Sequence, residues 1–247
     1  MVVIVLDRVS VRLGGHLAVD GVSATLDRGL IGVLGPNGAG KSTLARAMLG
    51  LVAADGRIVV DGPLAKTIAY LPQGGAIHWP VTVRRLVGLG RMPYLGPLAR
   101  MGAADLAAIE RAMAAADVAH LADRDATTLS GGERARALLA RALAAEARAL
   151  LVDEPLAALD PAHALGVMAL LRDAAAAGTL VIAVLHDLAL AVRFCDRLLL
   201  MDRGRLVADG APAAVLTPER IAEVYGIDAW VGEAGGVPVI VPREPIR

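Results

Sequence analysis

The spacing of hydrophobic residues changes along the chain and predicts two kinds of secondary structure. Short apolar runs bounded by Gly and Asp, at residues 2–13 and 22–29, are typical of antiparallel strands. The run "LIGVLG" at 30–35 is apolar almost throughout, which indicates a strand buried on both faces. At 81–146 the apolar residues recur at helical spacing in alanine-rich sequence, so this block is predicted to be helical.

Strand-like and helix-like segments alternate again after residue 147, beginning with "ALLVDEP" and "TLVIAVLHD". This alternation predicts a parallel α/β sheet with crossover helices. The expected fold class is α/β, with a parallel-sheet core, an N-terminal antiparallel β subdomain and an inserted α-helical subdomain. Within a single domain of 1–247, we expect the core with its antiparallel subdomain at about 1–78 and 147–225, the helical subdomain at about 79–146 and a hairpin tail at about 226–247.

Composition narrows the possible function classes. Hydrophobic residues make up 56% of the chain, and its 25 basic residues are balanced by 25 acidic ones. A general nucleic-acid binder normally carries a basic excess, so this balance disfavours that class. The mean hydropathy is high at +0.58, yet no apolar run approaches the roughly 20 residues that span a bilayer. The single cysteine, Cys195, fits a reducing compartment, and the N-terminus lacks the basic start of a signal peptide, so we expect a cytoplasmic chain.

A phosphate-binding loop is the most specific local motif. The segment "GPNGAGKST" at 35–43 satisfies G-x-x-x-x-G-K-[ST] between a buried strand and a helix, the context that identifies a P-loop. Its glycines let backbone N–H groups point at a phosphate, Lys41 is expected to neutralise the β- and γ-phosphates, and Ser42 is expected to ligate Mg²⁺. The predicted phosphate-binding residues are Gly35, Pro36, Asn37, Gly38, Ala39, Gly40, Lys41, Ser42 and Thr43.

Four polar side chains follow the ends of predicted core strands, at the sheet edge where ligands of parallel α/β sheets bind. Asp153 is expected to hold Mg²⁺, and Glu154, the next residue, to take a proton from the attacking water. His186 ends another apolar strand and can reach a γ-phosphate. Gln73 follows "AYLP" and carries an amide that can touch both Mg²⁺ and the water.

The segment 127–146, "TTLSGGERARALLARALAAE", has two interpretations. Ser130 and Glu133 fit an S-x-x-E capping box, which only begins a helix. A helix N-terminus that follows glycines is also a ready anion site. The two interpretations are compatible, because the cap would present Ser130, Gly131 and Gly132 to an anion.

Together these motifs resemble the ATP-binding-cassette (ABC) family, whose fold is that of a P-loop NTPase. Six elements stand in the order and spacing of that family: residues 35–43, Gln73, residues 130–133, Asp153 with Glu154, Asp160 and His186. The resemblance implies an ATPase that uses ATP and Mg²⁺ and pairs head to tail with a second copy. Each ATP then lies between the P-loop of one copy and segment 130–133 of the other. Asp160 belongs to the loop that follows Glu154. Closure with ATP and reopening after hydrolysis would drive a transmembrane partner.

Longer segments, above all "VGLGRMPYLGP" at 87–97, resemble the ATPases of bacterial importers for iron chelates, haem and cobalamin. This implies a polytopic permease as partner, a periplasmic binding protein as indirect partner, no nucleic acid, and a peripheral position on the cytoplasmic face of the inner membrane. Region 74–94 corresponds to the permease-facing surface of the family, with Trp79 and Tyr94 as candidates for the contact with the permease. Ordinary packing of both rings is an equal alternative.

Three other cassette classes are alternatives. Zinc/manganese importers are the nearest rival. Soluble cassette ATPases that act on DNA or ribosomes would need a long coiled coil or a second cassette, and exporters are often fused to membrane helices.

The family also often stacks adenine on an aromatic residue where this chain has Leu13, so we expect adenine to be held from elsewhere, with His16 as a candidate.

Overall fold

The alternating segments form two main sheets and a C-terminal hairpin. A computed structural model describes residues 2–246 except residues 76, 97 and 158. Its strands are β1 (Ile4–Leu13), β2 (His16–Leu26), β3 (Leu30–Leu34), β4 (Asp55–Val60), β5 (Ile68–Leu71), β6 (Ala149–Asp153), β7 (Leu180–Val184), β8 (Arg197–Asp202), β9 (Arg205–Gly210), β10 (Ile227–Ala234) and β11 (Val237–Pro245).

The helices fill the connections between these strands. They are α1 (Lys41–Met48), α2 (Leu64–Thr67), α3 (Val83–Gly88), α4 (Ala103–Ala115), α5 (Gly131–Leu143), α6 (Pro161–Ala176), α7 (Leu188–Phe194), α8 (Pro212–Val215) and α9 (Pro218–Tyr225). Short 3₁₀ helices lie at Leu89–Tyr94, Ala119–Leu121 and Ala126–Thr128. Among the described residues, no helix combines the length and apolar character that crossing a membrane requires.

The central sheet has the strand order β5-β6-β7-β3-β8-β9, and its first five strands are parallel. Every residue of β3, β6 and β7 is buried, because helices pack on one face of the sheet and α1 with the antiparallel strands β1 and β2 packs on the other. This explains the uninterrupted apolar runs. A second, antiparallel sheet has the order β2-β1-β4. The predicted α/β fold class is confirmed.

Two segments differ from the structure that their hydrophobic spacing predicts. β9 is antiparallel to β8, because Arg203 and Gly204 adopt positive φ angles of 46° and 82° and reverse the chain in a tight hairpin. The alanine-rich segment 103–123 is not one helix: α4 ends at Ala115, and Asp117 has a φ of 52° that breaks the helical path. The remainder of that segment forms a 3₁₀ turn.

The C-terminal tail forms an antiparallel hairpin, β10 with β11, that packs against α7. Ala229 and Ile240 are buried in the same core cluster as the central sheet. The tail is therefore anchored to the helix that directly follows His186 and Asp187.

A buried arginine ties the helical block together. Arg91, in the 3₁₀ helix Leu89–Tyr94, donates hydrogen bonds to Asp105 Oδ1 (2.9 Å), the Ala144 carbonyl (2.9 Å) and Glu146 Oε2 (3.1 Å). Asp105 lies in the first turn of α4, and Ala144 caps the end of α5. One side chain thus joins three helical elements.

Arg91→Met should lower the free energy of unfolding by roughly 2 kcal/mol, because it leaves the buried Ala144 carbonyl and its neighbours without their donor. Arg111→Met is the matched control: Arg111 also donates to Glu146 (2.7 Å), but its side chain is mostly exposed. Urea unfolding of both variants should show a much smaller loss for the control. Equal losses would contradict a structural role for Arg91.

Candidate functional site

The P-loop turns tightly from β3 into α1 and needs glycine at two points. Gly35 and Gly40 have φ angles of 147° and 93°. An added Cβ would overlap the carbonyl of Met201 at the first position and that of Ala18 at the second. Backbone conformation and space both exclude a side chain there, so the loop is held closely against β2 and β8.

Lys41 folds back across its own loop. Its Nζ donates to the carbonyl oxygens of Gly35 (2.8 Å) and Pro36 (2.9 Å). The residue is buried, and this burial lowers the pKa of Lys41 while the carboxylates of Glu154 and Asp153 oppose the shift. The Lys41 amine is thus held against the backbone of its own loop.

Asp153 is the last residue of β6 and is fully buried. Ser42 Oγ donates to its Oδ1 at 2.9 Å, while Oδ2 is buried and accepts no hydrogen bond from the described residues. Burial raises the pKa of Asp153, and the bond from Ser42 partly opposes that rise. A hydroxyl beside a carboxylate oxygen without a donor is an all-oxygen set of the kind that Mg²⁺ prefers, so these residues fit the ion.

Glu154 is held at both carboxylate oxygens. Gln73 Nε2 donates to Oε2 at 2.5 Å, and His186 Nε2 lies 2.5 Å from Oε1. The Glu154 backbone has a φ of 51°, which is uncommon for a residue with a side chain, and its N–H donates to the Val184 carbonyl at 3.1 Å. Strained backbone of this kind is concentrated at functional sites. The structure therefore brings three of the predicted residues into one cluster.

A cavity of about 300 Å³ lies beside this cluster. Its lining residues are His16, Ala18, Asn37, Gly38, Gly40, Lys41, Ser42, Thr43, Glu154 and His186. The P-loop and two polar side chains from strand ends therefore face the same space. Leu13 is exposed and is not part of this lining, whereas His16 is.

Segment 130–133 forms a reciprocal helix cap. Ser130 N donates to Glu133 Oε2 (2.8 Å), and Glu133 N donates to Ser130 Oγ (3.4 Å). The backbone N–H of Ser130 holds the pKa of Glu133 below its usual value. Arg124 braces the cap from outside, with Nη1 3.1 Å from Glu133 Oε1. Within the described chain, no residue of this segment lines the P-loop cavity.

Asp160 caps α6. Its Oδ1 accepts from His163 N at 2.9 Å, and its Oδ2 lies 2.6 Å from His163 Nδ1. Both interactions with His163 hold the pKa of Asp160 below its usual value, the backbone one contributing most. Residue 158 of the same loop lies outside the described residues. His163 was not predicted, although an Asp with His three positions later is the spacing of a helix cap.

Tyr225 is another residue that the sequence did not single out. It ends α9, and burial raises the pKa of its hydroxyl to about 12. Among the described residues, none forms a hydrogen bond of good geometry with this hydroxyl, although Gly35 of the P-loop lies close enough to affect its pKa. The end of α9 thus packs beneath the P-loop. No sequence signal beyond helical spacing pointed to it.

The two aromatic candidates for a partner surface behave differently. Trp79 is 75% exposed. Two cations lie close to the Tyr94 ring, with Arg91 Cζ 4.2 Å and Lys66 Nζ 5.5 Å from the ring centre. Tyr94 is 37% exposed and contacts two cations of its own chain, whereas the Trp79 ring faces solvent. Leu89 and Met92 of the same region are also exposed.

Sequence comparison places this arrangement among known proteins. The family described as ABC transporter matches residues 19–157. The cobalamin import ATP-binding protein BtuD of Halobacterium salinarum is 43% identical over 247 residues, which cover 94% of this chain and 61% of the relative. The hemin import ATP-binding protein HmuV of Pseudomonas aeruginosa is 41% identical over 255 residues, covering 96% and 98%. The chain thus spans about three fifths of the first relative's length and nearly all of the second's.

Structural comparison agrees with the sequence match. A metal-chelate type ABC transporter solved in an inward-facing conformation superposes with a TM-score of 0.88 and 26% identity, over 99% of this chain and 98% of that one. The resemblance predicted from the six motifs is confirmed. With more than half of its residues matched by the family and relatives above 40% identity, this chain belongs to the ABC transporter family.

Proposed function

We propose that this chain is the ATP-hydrolysing, energy-coupling subunit of a bacterial ABC importer for an iron complex, such as a siderophore or haem, or for cobalamin. The observation that carries the proposal is the placement of Glu154 beside the P-loop cavity, with one oxygen against Gln73 and the other against His186. A positioned carboxylate next to a phosphate-binding loop has the geometry of a general base for water attack.

Each residue has a distinct task in this proposal. The backbone of the P-loop and Lys41 bind the phosphates of ATP. Ser42 and Asp153 would hold Mg²⁺, with Gln73 reaching toward it; the ion supplies positive charge against the phosphates when it is bound. Glu154 takes the proton of the attacking water, and His186 contacts the γ-phosphate. The hydrogen bond from Gln73 and the close contact with His186 orient the Glu154 carboxylate before the water arrives.

The complete site is proposed to need two copies of the chain. The P-loop side is assembled within one chain, whereas Ser130, Gly131, Gly132 and Glu133 do not line its cavity. A capped helix start with an open glycine is suited to an anion that a second chain presents. A head-to-tail dimer would place segment 130–133 of each copy over the ATP of the other, with Asp160 near the contact.

The importer branch is supported by the relatives described above, whose names refer to cobalamin and hemin import rather than to zinc or manganese. The permease is proposed to dock on region 74–94 after Gln73, in which the apolar side chains of Trp79, Leu89, Met92 and Tyr94 are exposed. This would hold the chain on the cytoplasmic face of the inner membrane, with a periplasmic binding protein delivering the substrate on the far side. The functional division into core (about 1–78 and 147–225), helical subdomain (about 79–146) and tail (about 226–247) belongs to the same proposal.

Purification of the native complex through a tag on this chain should recover a polytopic membrane protein. Trp79→Ala should reduce that recovery severalfold, because a large exposed ring at a partner surface contributes strongly to binding. Trp230→Ala is the matched control, since Trp230 is also partly exposed but packs over Gly232 of the tail hairpin. Recovery of ribosomes or DNA instead of a membrane protein would contradict the importer assignment.

A further inference from the structure

The two glycines of segment 130–133 have different surroundings. A Cβ added at Gly131 would meet open space, whereas a Cβ added at Gly132 would overlap the imidazole of His163. Gly132 has no positive φ, so backbone conformation does not require glycine there. The His163 ring fills the space that a side chain at Gly132 would need, which explains the glycine at this position.

Two interactions with Asp160 fix the position of the His163 ring at this contact. Its backbone N–H and its Nδ1 both engage Asp160, at 2.9 Å and 2.6 Å, so one carboxylate fixes the helix start and the ring together. The ring is partly exposed and lies in the first turn of α6. Its other edge, Cδ2 and Nε2, faces Gly132 at the start of α5.

This contact joins two parts of the proposed ATP site along a short path. Glu154, the proposed base, begins the loop that ends at Asp160, six positions later. From Asp160 the path runs through His163 to Gly132. A shift of Asp160 would therefore move the helix start that is proposed to face the second copy's ATP.

We propose that His163 is a positioning residue that couples Asp160 to segment 130–133 within the same chain. The ring acts as a spacer with one edge on the Asp160 carboxylate and the other on Gly132. It sets the angle at which Ser130 and Gly131 are presented across the dimer. This inference rests on the proposed function.

His163→Ala should lower kcat for ATP hydrolysis about ten-fold, with little change in the Kd of one chain for ATP. The helix cap survives the change, because the backbone N–H of residue 163 still donates to Asp160. The thermal unfolding midpoint should therefore stay close to that of the parent chain. His163→Gln, whose side-chain amide extends about as far as the imidazole ring, should restore part of kcat. His120→Ala, an exposed histidine of the helical block, is the matched control and should hydrolyse ATP normally.

A double-mutant cycle separates positioning from direct contact with ATP. Gly132→Ala should cost at least about ten-fold in kcat in the parent chain, because the new methyl collides with His163. In the His163→Ala background the same change should cost less than about two-fold, since the space is then open. An equal cost of Gly132→Ala in both backgrounds, or a normal kcat for His163→Ala, would overturn the inference. Failure of the parent chain itself to hydrolyse ATP would instead count against the proposed function.

Discussion

Glu154→Gln is expected to lower the rate of phosphate release about 1,000-fold or more while ATP binding stays within a few-fold of the parent value. The carboxylate is the group proposed to accept the proton of the attacking water. An amide of the same shape cannot accept it. The proposed phosphate-binding groups stay in place, because Lys41 Nζ is held by the carbonyls of Gly35 and Pro36 and not by residue 154.

The substitution is chosen so that the surroundings change little. Gln can adopt the positive φ of 51° as readily as Glu, and its amide can still contact Gln73 and His186. Glu223→Gln, on the exposed side of α9, controls for loss of one negative charge and should leave hydrolysis at the parent rate. Brisk phosphate release from Glu154→Gln would remove this residue as the base.

Ser130→Arg is expected to block hydrolysis while each chain still binds ATP. Ser130 lies at the start of α5, away from the cavity lined by its own P-loop. A long cationic side chain there would fill the space in which the proposed dimer places a phosphate of the second copy. Equilibrium ATP binding and phosphate release, measured on the same preparation, separate the two effects.

Loss of a helix cap must be distinguished from loss of a dimer contact. Removing the Ser130 acceptor costs about 1 kcal/mol of helix stability by itself. Thr82→Arg is the matched control, because Thr82 Oγ1 also accepts an N-cap hydrogen bond, from Arg85 N at 3.3 Å. The control should hydrolyse ATP normally. If Ser130→Arg also hydrolyses ATP normally, the segment is only a cap.

Much of the site could be predicted because its signals are local. The P-loop pattern sits between an apolar strand and a helix, and Asp153 follows directly on a buried strand, so strand order alone brings these residues to one edge. The Ser130–Glu133 cap was predictable for the same reason, since both partners lie within one turn.

Contacts between distant segments could not be predicted in this way. Nothing near Gly132 in the sequence indicates that His163, from another helix, fills the space beside it. The Arg91 cluster joins residues 14 to 55 positions apart, and the contact of Arg91 with the Tyr94 ring depends on that packing. The antiparallel β9 is a local feature that turn chemistry at Arg203 and Gly204 could have indicated.

The central claim is that one ATP site is built from two copies of the chain, and a measurement of mass tests it most directly. The Glu154→Gln chain of 25.4 kDa should behave as a monomer alone and as a species of two chains with ATP and Mg²⁺, by light scattering on a sizing column. Adding Ser130→Arg to it should return the monomer with ATP still bound. A Glu154→Gln chain that binds ATP and stays monomeric would contradict the account.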